Sequence, residues 1–248
     1  MFNFLRRRHK VIFTTFYAIY FVLFLLYSTL YLVYYQLLGL QGLYKKREEA
    51  VYTWLARWCR HLINLTRGQV QVEGLEYLPN HSNILFVSNH QSYFDILLIF
   101  GFIPGKKIFI GKIETKKVPI LRTWMRLSHC IFMDRKDVRQ SLKSILQGIE
   151  YIQQGLPVVI FPEGTRSQSA TINPFKAGSM KLATKSNATI VPITLDGSYQ
   201  FFEEHRRIKP AHVKVVIHPP IETVDLTSEQ VKTLAQDLQI QIESKIQK

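Results

Sequence analysis

A histidine and an aspartate stand five positions apart in Asn89-His90-Gln91-Ser92-Tyr93-Phe94-Asp95, directly after the apolar run Ile84–Ser88. On one regular helix that offset turns two side chains about 140° apart. They meet only if His90 sits in the turn closing a strand and Asp95 opens the first turn of the next element. There a carboxylate orients an imidazole as a general base.

Three further apolar runs end on residues that suit a base of this kind. Phe109-Ile110 leads to Gly111-Lys112, Cys130–Met133 to Asp134-Arg135, and Val158–Phe161 to Pro162-Glu163-Gly164-Thr165-Arg166. Ligands of α/β sheets collect outside the carboxyl ends of the strands. Four strands would thus bring a histidine, a lysine and two arginines to one edge. That is a base beside a phosphate site, with Arg135 and Arg166 able to grip the anion in bidentate fashion. Gly164 allows a tight turn while its neighbours face a site. Lys112 lies among Lys106, Lys107, Lys116 and Lys117, so a solvated basic face competes with a substrate contact.

Other chemistries are excluded or lack support. Cys59 and Cys130, the only cysteines, have neither metal-knuckle nor redox-pair spacing, and no metal site is expected. Ser92, Ser179 and Ser198 are nucleophiles by residue type alone, because no G-x-S-x-G elbow exists. Gly101-x3-Gly105-Lys106-Lys107 is one spacer short of a P-loop and lacks its Ser/Thr, which removes nucleotide hydrolysis.

Positioning these residues requires strands alternating with helices. Strands are expected at Val70–Val72, Ile84–Ser88, Lys107–Ile110, Cys130–Met133, Val158–Phe161, Thr189–Leu195 and Val213–Ile217. Helices are expected at Asp95–Gly101, Val118–Leu127, Val138–Gln153 and Ala177–Ser186, with a last one opened by a Thr227-x-x-Gln230 capping box. Val138, Leu142, Ile145, Leu146, Ile149 and Ile152 should lie on one helical face. The pattern predicts an α/β domain over residues 69–248, a mixed and largely parallel sheet flanked by helices.

Upstream, no charged residue occurs from Val11 to Tyr44, a run of 34 positions bounded by Arg6-Arg7-Arg8-His9-Lys10 and Lys45-Lys46-Arg47. A spanning helix needs about 20 apolar residues, and a signal peptide has a shorter core and a small-residue cleavage site. Residues 1–43 are therefore read as an N-terminal membrane anchor, one helix or a helical hairpin. Phe13, Tyr17, Tyr20, Phe24, Tyr27, Tyr31 and Tyr34 line one face of it. They serve either as a packing seam against a second helix or as a row of phenols at headgroup level. Val51, Trp54, Leu55, Trp58, Leu62 and Ile63 make residues 44–68 an amphipathic, membrane-proximal helix, packed on its domain or lying on the bilayer. Basic clusters at both ends of the apolar run suit a hairpin or monotopic anchor, with the catalytic domain on the cytoplasmic face.

The formal net charge is +14, from 32 Lys and Arg against 18 acids. It would attract anionic lipid, a phosphorylated substrate, an acidic carrier protein or nucleic acid. A non-catalytic basic protein bound to an anionic membrane or nucleic acid is the rival reading, one that has no need of a His-Asp pair.

Four blocks together resemble a known family. Asn89-His90-Gln91-Ser92-Tyr93-Phe94-Asp95, Phe132-Met133-Asp134-Arg135, Phe161-Pro162-Glu163-Gly164-Thr165-Arg166-Ser167 and Ile190-Val191-Pro192-Ile193 are similar, in order, to the motifs of the glycerolipid acyltransferases. The resemblance is to the PlsC-type, 1-acylglycerol-3-phosphate branch and runs roughly from Val70 to Ile221. The second block departs from the pattern at His129, where a glycine is common, and at Met133, in place of isoleucine. The resemblance implies that His90 deprotonates the acceptor hydroxyl and Asp95 holds its tautomer. It implies that Arg135 and Arg166 bind glycerol phosphate in a pocket shaped by Glu163, Gly164 and Thr165, with Lys112 assisting the phosphate or the oxyanion. It further implies lysophosphatidate as acceptor and an acyl carrier protein or coenzyme A thioester as co-substrate, with no other cofactor. An anionic membrane is the expected partner and nucleic acid is not. Glycerol 3-phosphate or another lysophospholipid remains an alternative acceptor.

Overall fold

The computed structural model describes residues 2–247, with side chains from residue 12 onward, so the cluster Arg6-Arg7-Arg8-His9-Lys10 falls outside the described side chains. Helices α1 (Phe2–Tyr27), α2 (Thr29–Leu40) and α3 (Tyr44–Leu65) come first. The α/β part begins with β1 (Gln69–Glu73), β2 (Ile84–Ser88), α4 (Phe94–Phe102), β3 (Ile108–Lys112), α5 (Pro119–Leu127), β4 (Ile131–Met133) and α6 (Val138–Gln153). It continues through β5 (Val158–Ile160), α7 (Lys181–Ser186), β6 (Thr189–Asp196), β7 (His212–Ile217), β8 (Ile221–Glu222) and α8 (Ser228–Glu243).

The strands form one sheet in the order β1-β7-β6-β2-β5-β3-β4, with β8 on β6. Strands β2 to β6 run parallel to one another, and β7 and β8 oppose β6. The sheet is thus mixed and largely parallel, as the alternation of strands and helices requires. Every residue of β2 and β6 is buried, as expected of parallel strands covered on both faces. On one face Ile84, Phe86, Val159, Val191 and Ile193 pack beneath α3 and α4. On the other Leu85, Val87, Val158, Ile160 and Ile190 meet α7 and α8. The carboxyl ends of β2, β3, β4, β5 and β6 share one edge, and the expected strand-end residues gather there.

Helices α6 and α8 open on side chains that satisfy their free N–H groups, and α5 opens on a proline. Asp137 caps α6 by accepting from the N–H groups of Arg139 and Gln140. Thr227 and Gln230 form the expected capping box on α8. Pro119 supplies the first turn of α5.

Helices α1 and α2 make an almost continuous rod along α3. Phe24 stacks on Trp54 and Trp58, with centroids 5.9 and 5.6 Å apart, and Phe21 stacks on Trp58 at 5.9 Å. The Tyr20 hydroxyl meets His61 Nε2 at 2.6 Å, and Tyr17 donates to the Leu62 carbonyl at 3.1 Å. At the junction of α1 and α2 the buried Ser28 hydroxyl accepts from Trp124 Nε1 at 2.8 Å. The aromatic row is thus a packing seam, although Tyr27 and Tyr34 stay half exposed. The opposite side of the rod, with Phe16, Leu23, Leu30, Val33, Leu37 and Leu40, is exposed and apolar along its length. Residues 12–40 are long and apolar enough to cross a membrane.

Packing decides where two helix faces turn. Val51, Leu55, Trp58, Leu62 and Ile63 of α3 are buried, covered by the rod and the domain, so this face is not free to lie on a bilayer. In α6 only half of the expected apolar face turns inward. The buried positions are Ser144, Gly148 and Ile152, while Val138, Leu142 and Leu146 are exposed. A Cβ on Gly148 would stand 2.6 Å from Leu182 Cδ2, so α6 approaches α7 too closely for a larger side chain there. The helix expected over Ala177–Ser186 divides into a 3-10 turn, Ala177–Met180, and α7. The two-residue strand β8 has no counterpart among the expected strands.

Candidate active site

The turn between β2 and α4 brings His90 and Asp95 together. His90 Nδ1 lies 2.7 Å from Asp95 Oδ2. A carboxylate only accepts, so Nδ1 carries the proton and Nε2 presents a lone pair. Among the described residues Nε2 has no hydrogen-bond partner. The ring stacks on Phe161, with centroids 4.1 Å apart and planes 16° apart.

Asp95 is held from four directions. Besides His90, its Oδ2 accepts from the backbone N–H groups of Gln91 at 2.7 Å and Ser92 at 2.8 Å. Its Oδ1 accepts from the Ser198 hydroxyl at 2.5 Å. Ser198 stands just past the end of β6, the strand beside β2, and Gln91 Oε1 accepts from the Ser198 N–H at 3.2 Å. Asn89 ties the same two strands by bonding both the N–H and the carbonyl of Leu195 at 2.8 Å.

The block after β5 grips the His90 main chain. Buried Glu163 accepts from the His90 N–H at 2.5 Å and from the Asn173 N–H at 2.8 Å, and the Ser167 N–H donates to the His90 carbonyl at 2.8 Å. Burial pushes the Glu163 carboxyl above its ordinary range, opposed by those two N–H bonds. Glu163 therefore fixes the backbone of His90. The Gly164 backbone has φ +74°, a left-handed conformation that glycine adopts without strain. Its carbonyl accepts from Arg135 Nη1, and the Lys176 ammonium passes 2.6 Å from where a Cβ would stand. Thr165 is exposed.

Arg166 and Arg135 are held by different partners, Arg166 by a carboxylate and Arg135 by the Gly164 carbonyl. Arg166 Nη1 pairs with Glu203 at 2.9 Å, and its guanidinium lies 3.3 Å above the centre of the Tyr93 ring. Glu203 is buried and also accepts from the Ser92 hydroxyl at 2.6 Å and the Tyr93 N–H at 2.9 Å. The bridge occupies one guanidinium nitrogen and leaves the other donors for an anion. Lys112, at the end of β3, is exposed and paired with Glu114 at 3.1 Å. Such an exposed pair is weak and yields readily to a stronger anion.

Sequence reasoning missed Glu203 and Lys176 altogether and met Ser198 only as a residue type. The available signal was Asp196-Gly197-Ser198 at the end of β6. Ser92 and Ser198 already donate to buried carboxylates, and burial pushes the Cys59 and Cys130 thiols up to about 12. The strongest candidate for chemistry is the His90 imidazole.

Residues 69–196 match the family model described as Acyltransferase. The chain is 34% identical over 170 residues to a protein of Mycoplasma pneumoniae named probable 1-acyl-sn-glycerol-3-phosphate acyltransferase, covering 63% of each chain. It is 32% identical over 179 residues to the human 1-acyl-sn-glycerol-3-phosphate acyltransferase alpha, covering 71% of this chain and 62% of that one. The matched regions thus span less than two thirds of these two relatives. The crystal structure of the 1-acyl-sn-glycerophosphate acyltransferase PlsC from Thermotoga maritima superimposes with a TM-score of 0.85 and 25% identity, over 96% of this chain and 95% of that one. With the His90–Asp95 dyad and the Glu163-Gly164-Thr165-Arg166 block on one edge of a sheet of that architecture, this chain belongs to the acyltransferase family.

Proposed function

We propose that the protein transfers a fatty acyl group from a thioester to the sn-2 hydroxyl of 1-acylglycerol 3-phosphate, producing phosphatidate. The observation that carries this reading is the 2.7 Å contact between His90 Nδ1 and Asp95 Oδ2, which leaves Nε2 as the free basic nitrogen. The names of the relatives support lysophosphatidate as the acceptor.

In this mechanism the lysophosphatidate phosphate is held by Arg166 and Arg135, with Lys112 as a third cation. Glu163, Gly164 and Thr165 shape the loop between these cations and the base. Fixing the acceptor by its phosphate sets the free hydroxyl against His90 Nε2, an orientation effect as well as a binding one. Nε2 takes the hydroxyl proton as the oxygen attacks the thioester carbonyl carbon. A C–O bond forms, the C–S bond breaks, and the proton on Nε2 passes to the departing thiolate. Asp95 stabilises the transient imidazolium. No acyl-enzyme is required, in keeping with Ser92 and Ser198 already donating to carboxylates. The thioester, on an acyl carrier protein or coenzyme A, is the co-substrate, and the step uses no further cofactor.

The exposed apolar side of the α1–α2 rod supports seating on a membrane, where both lipid acceptor and product reside. Lys45, Lys46 and Arg47 beside the rod favour an anionic cytoplasmic leaflet, with the catalytic domain on that side.

The test is an acceptor panel in mixed micelles with one acyl thioester: lysophosphatidate, glycerol 3-phosphate, lysophosphatidylcholine and monoacylglycerol. Phosphatidate formed with the highest kcat/KM is the expected result. Equal use of monoacylglycerol, which has no phosphate, would overturn the assignment of the arginines and of the acceptor.

A further inference from the structure

The outward side of α6 carries a feature that the reaction above does not use. Val138 is 82% exposed, Leu142 56% and Leu146 57%. At i, i+4 and i+8 they form one row along the helix. Arg139 and Lys143 form the adjacent row, and both are exposed, as is Lys136 just before the helix. Among the described residues no carboxylate forms an ion pair with Lys136, Arg139 or Lys143. The nearby acids are engaged elsewhere. Asp137 caps the helix, Glu150 accepts from Gln154 at its far end, and Glu114, within electrostatic reach of Lys136, pairs with Lys112. The row is apolar at its centre and rimmed by these cations, the arrangement in which an exposed apolar surface serves as an interaction site.

Its location narrows the occupant. The site residue Arg135 lies two positions before the cap Asp137. The Ser141 hydroxyl donates to the Asp134 carbonyl at 2.6 Å, and the Gln140 side chain accepts from the Asp134 N–H. The loop that carries this site cation is therefore fastened to the first turns of α6. The inner side of α6 packs toward Ile131 and Leu182, on the sheet face opposite the one that holds α1, α2 and α3. A bilayer seated against the exposed side of the rod would lie across the sheet from this patch.

We infer that the outer face of α6, with Val138, Leu142 and Leu146 beside Lys136, Arg139 and Lys143, docks an acidic carrier protein that delivers the acyl thioester. The inference rests on the acyl-transfer reading and adds the form of the donor. Charge complementarity favours an acidic partner and speeds its encounter. The aliphatic row asks for a partner with apolar side chains at the centre of its acidic face, which a soluble thioester of coenzyme A does not offer.

The test compares one acyl chain presented on acyl carrier protein and on coenzyme A, using the full-length protein in micelles. Two double variants are used, Arg139→Glu with Lys143→Glu, and Leu142→Ser with Leu146→Ser. All four side chains are exposed, so the fold should survive, and circular dichroism checks that. The expected result is turnover of the carrier thioester by the unaltered protein, with KM for it raised about tenfold in both variants. With the coenzyme A thioester, kcat/KM should stay within about twofold of the unaltered protein in the Ser variant, a change too small to signify lost contacts.

Several results would overturn the inference. One is failure of the unaltered protein to use the carrier thioester while it uses coenzyme A, which leaves the acyl-transfer reading standing. Another is an equal loss with both donors in the Ser variant. A third is release of the variants from anionic vesicles with carrier kinetics unchanged, which would make the patch a membrane contact. No turnover with either donor would remove the acyl-transfer reading and the docking surface together.

Discussion

The Ser198 hydroxyl donates to Asp95 Oδ1 at 2.5 Å, joining the end of β6 to the carboxylate that orients His90. Hydrogen bonds to a charged group contribute about 1.5–3 kcal/mol. Ser198→Ala should lower kcat by roughly tenfold, since one of the four donors on Asp95 is lost. Ser198→Thr keeps a hydroxyl and should recover part of the rate. Ser198 acts through Asp95, so KM for lysophosphatidate should hardly move. Steady-state kinetics on both variants separate this role from a general loss of structure.

Glu203 links the proposed phosphate ligand to the dyad's own turn. It accepts from Arg166, Ser92 and Tyr93 at once. Arg166→Lys keeps the charge but loses the planar fork, so KM for lysophosphatidate should rise several-fold with a smaller change in kcat. Glu203→Gln should affect both, because it weakens the hold on Arg166 and on the turn. An unchanged acceptor KM in Arg166→Lys would argue that this arginine is only a strap.

Lys107 gives a pH signature. It is 1% exposed, and its ammonium reaches the carbonyls of Ile103, Pro104 and Gly105 at 2.6, 3.2 and 2.7 Å. Burial pushes its pKa down to about 7; the three carbonyls favour the charged form and oppose that shift. An unfolded lysine titrates near 10.4. Between these values the unfolded chain binds more protons, so this group makes stability rise with pH and lose that gain as pH falls toward 7. The difference in stability between the protein and Lys107→Met should therefore change across pH 7 to 9. Thermal unfolding at both pH values checks it, and parallel pH dependences would contradict it.

The two sides of the rod should respond differently to substitution. Polar replacement of Leu23, Leu30 and Leu37 on the exposed side should weaken vesicle binding and leave the melting temperature in detergent nearly unchanged. Phe24→Ala opens the stack on Trp54 and Trp58. Phe24 is only partly buried. The change should cost about 1–3 kcal/mol, less than a fully buried Phe→Ala substitution. Sedimentation with anionic vesicles and thermal unfolding read the two effects separately.

The central strands were legible because a two-sided parallel strand reads as a continuous apolar run. Ile84–Ser88 matches β2 end to end, and Val138–Gln153 matches α6. The offset of five admitted a dyad across a strand-to-helix turn, and the cations at the neighbouring strand ends with the four-block resemblance singled it out. The inward side of α6 was not legible. Periodicity marks an apolar arc, while the close approach of Leu182 decides that Gly148 and Ser144 face inward. Nor could spacing find the bonds that tie Ser198 to Asp95 and Glu203 to Ser92 and Tyr93, which span more than 100 positions and form only because β6 lies beside β2. Strand order carries that information, and no local pattern does.

The most direct measurement is phosphatidate formation by the purified protein in mixed micelles beside His90→Ala and Asp95→Ala, each checked for an unchanged fold. General-base catalysis contributes about 10²–10⁴-fold, so His90→Ala should lose at least that factor in kcat, with Asp95→Ala impaired as well. A folded His90→Ala variant that keeps the full rate would contradict the account at its centre.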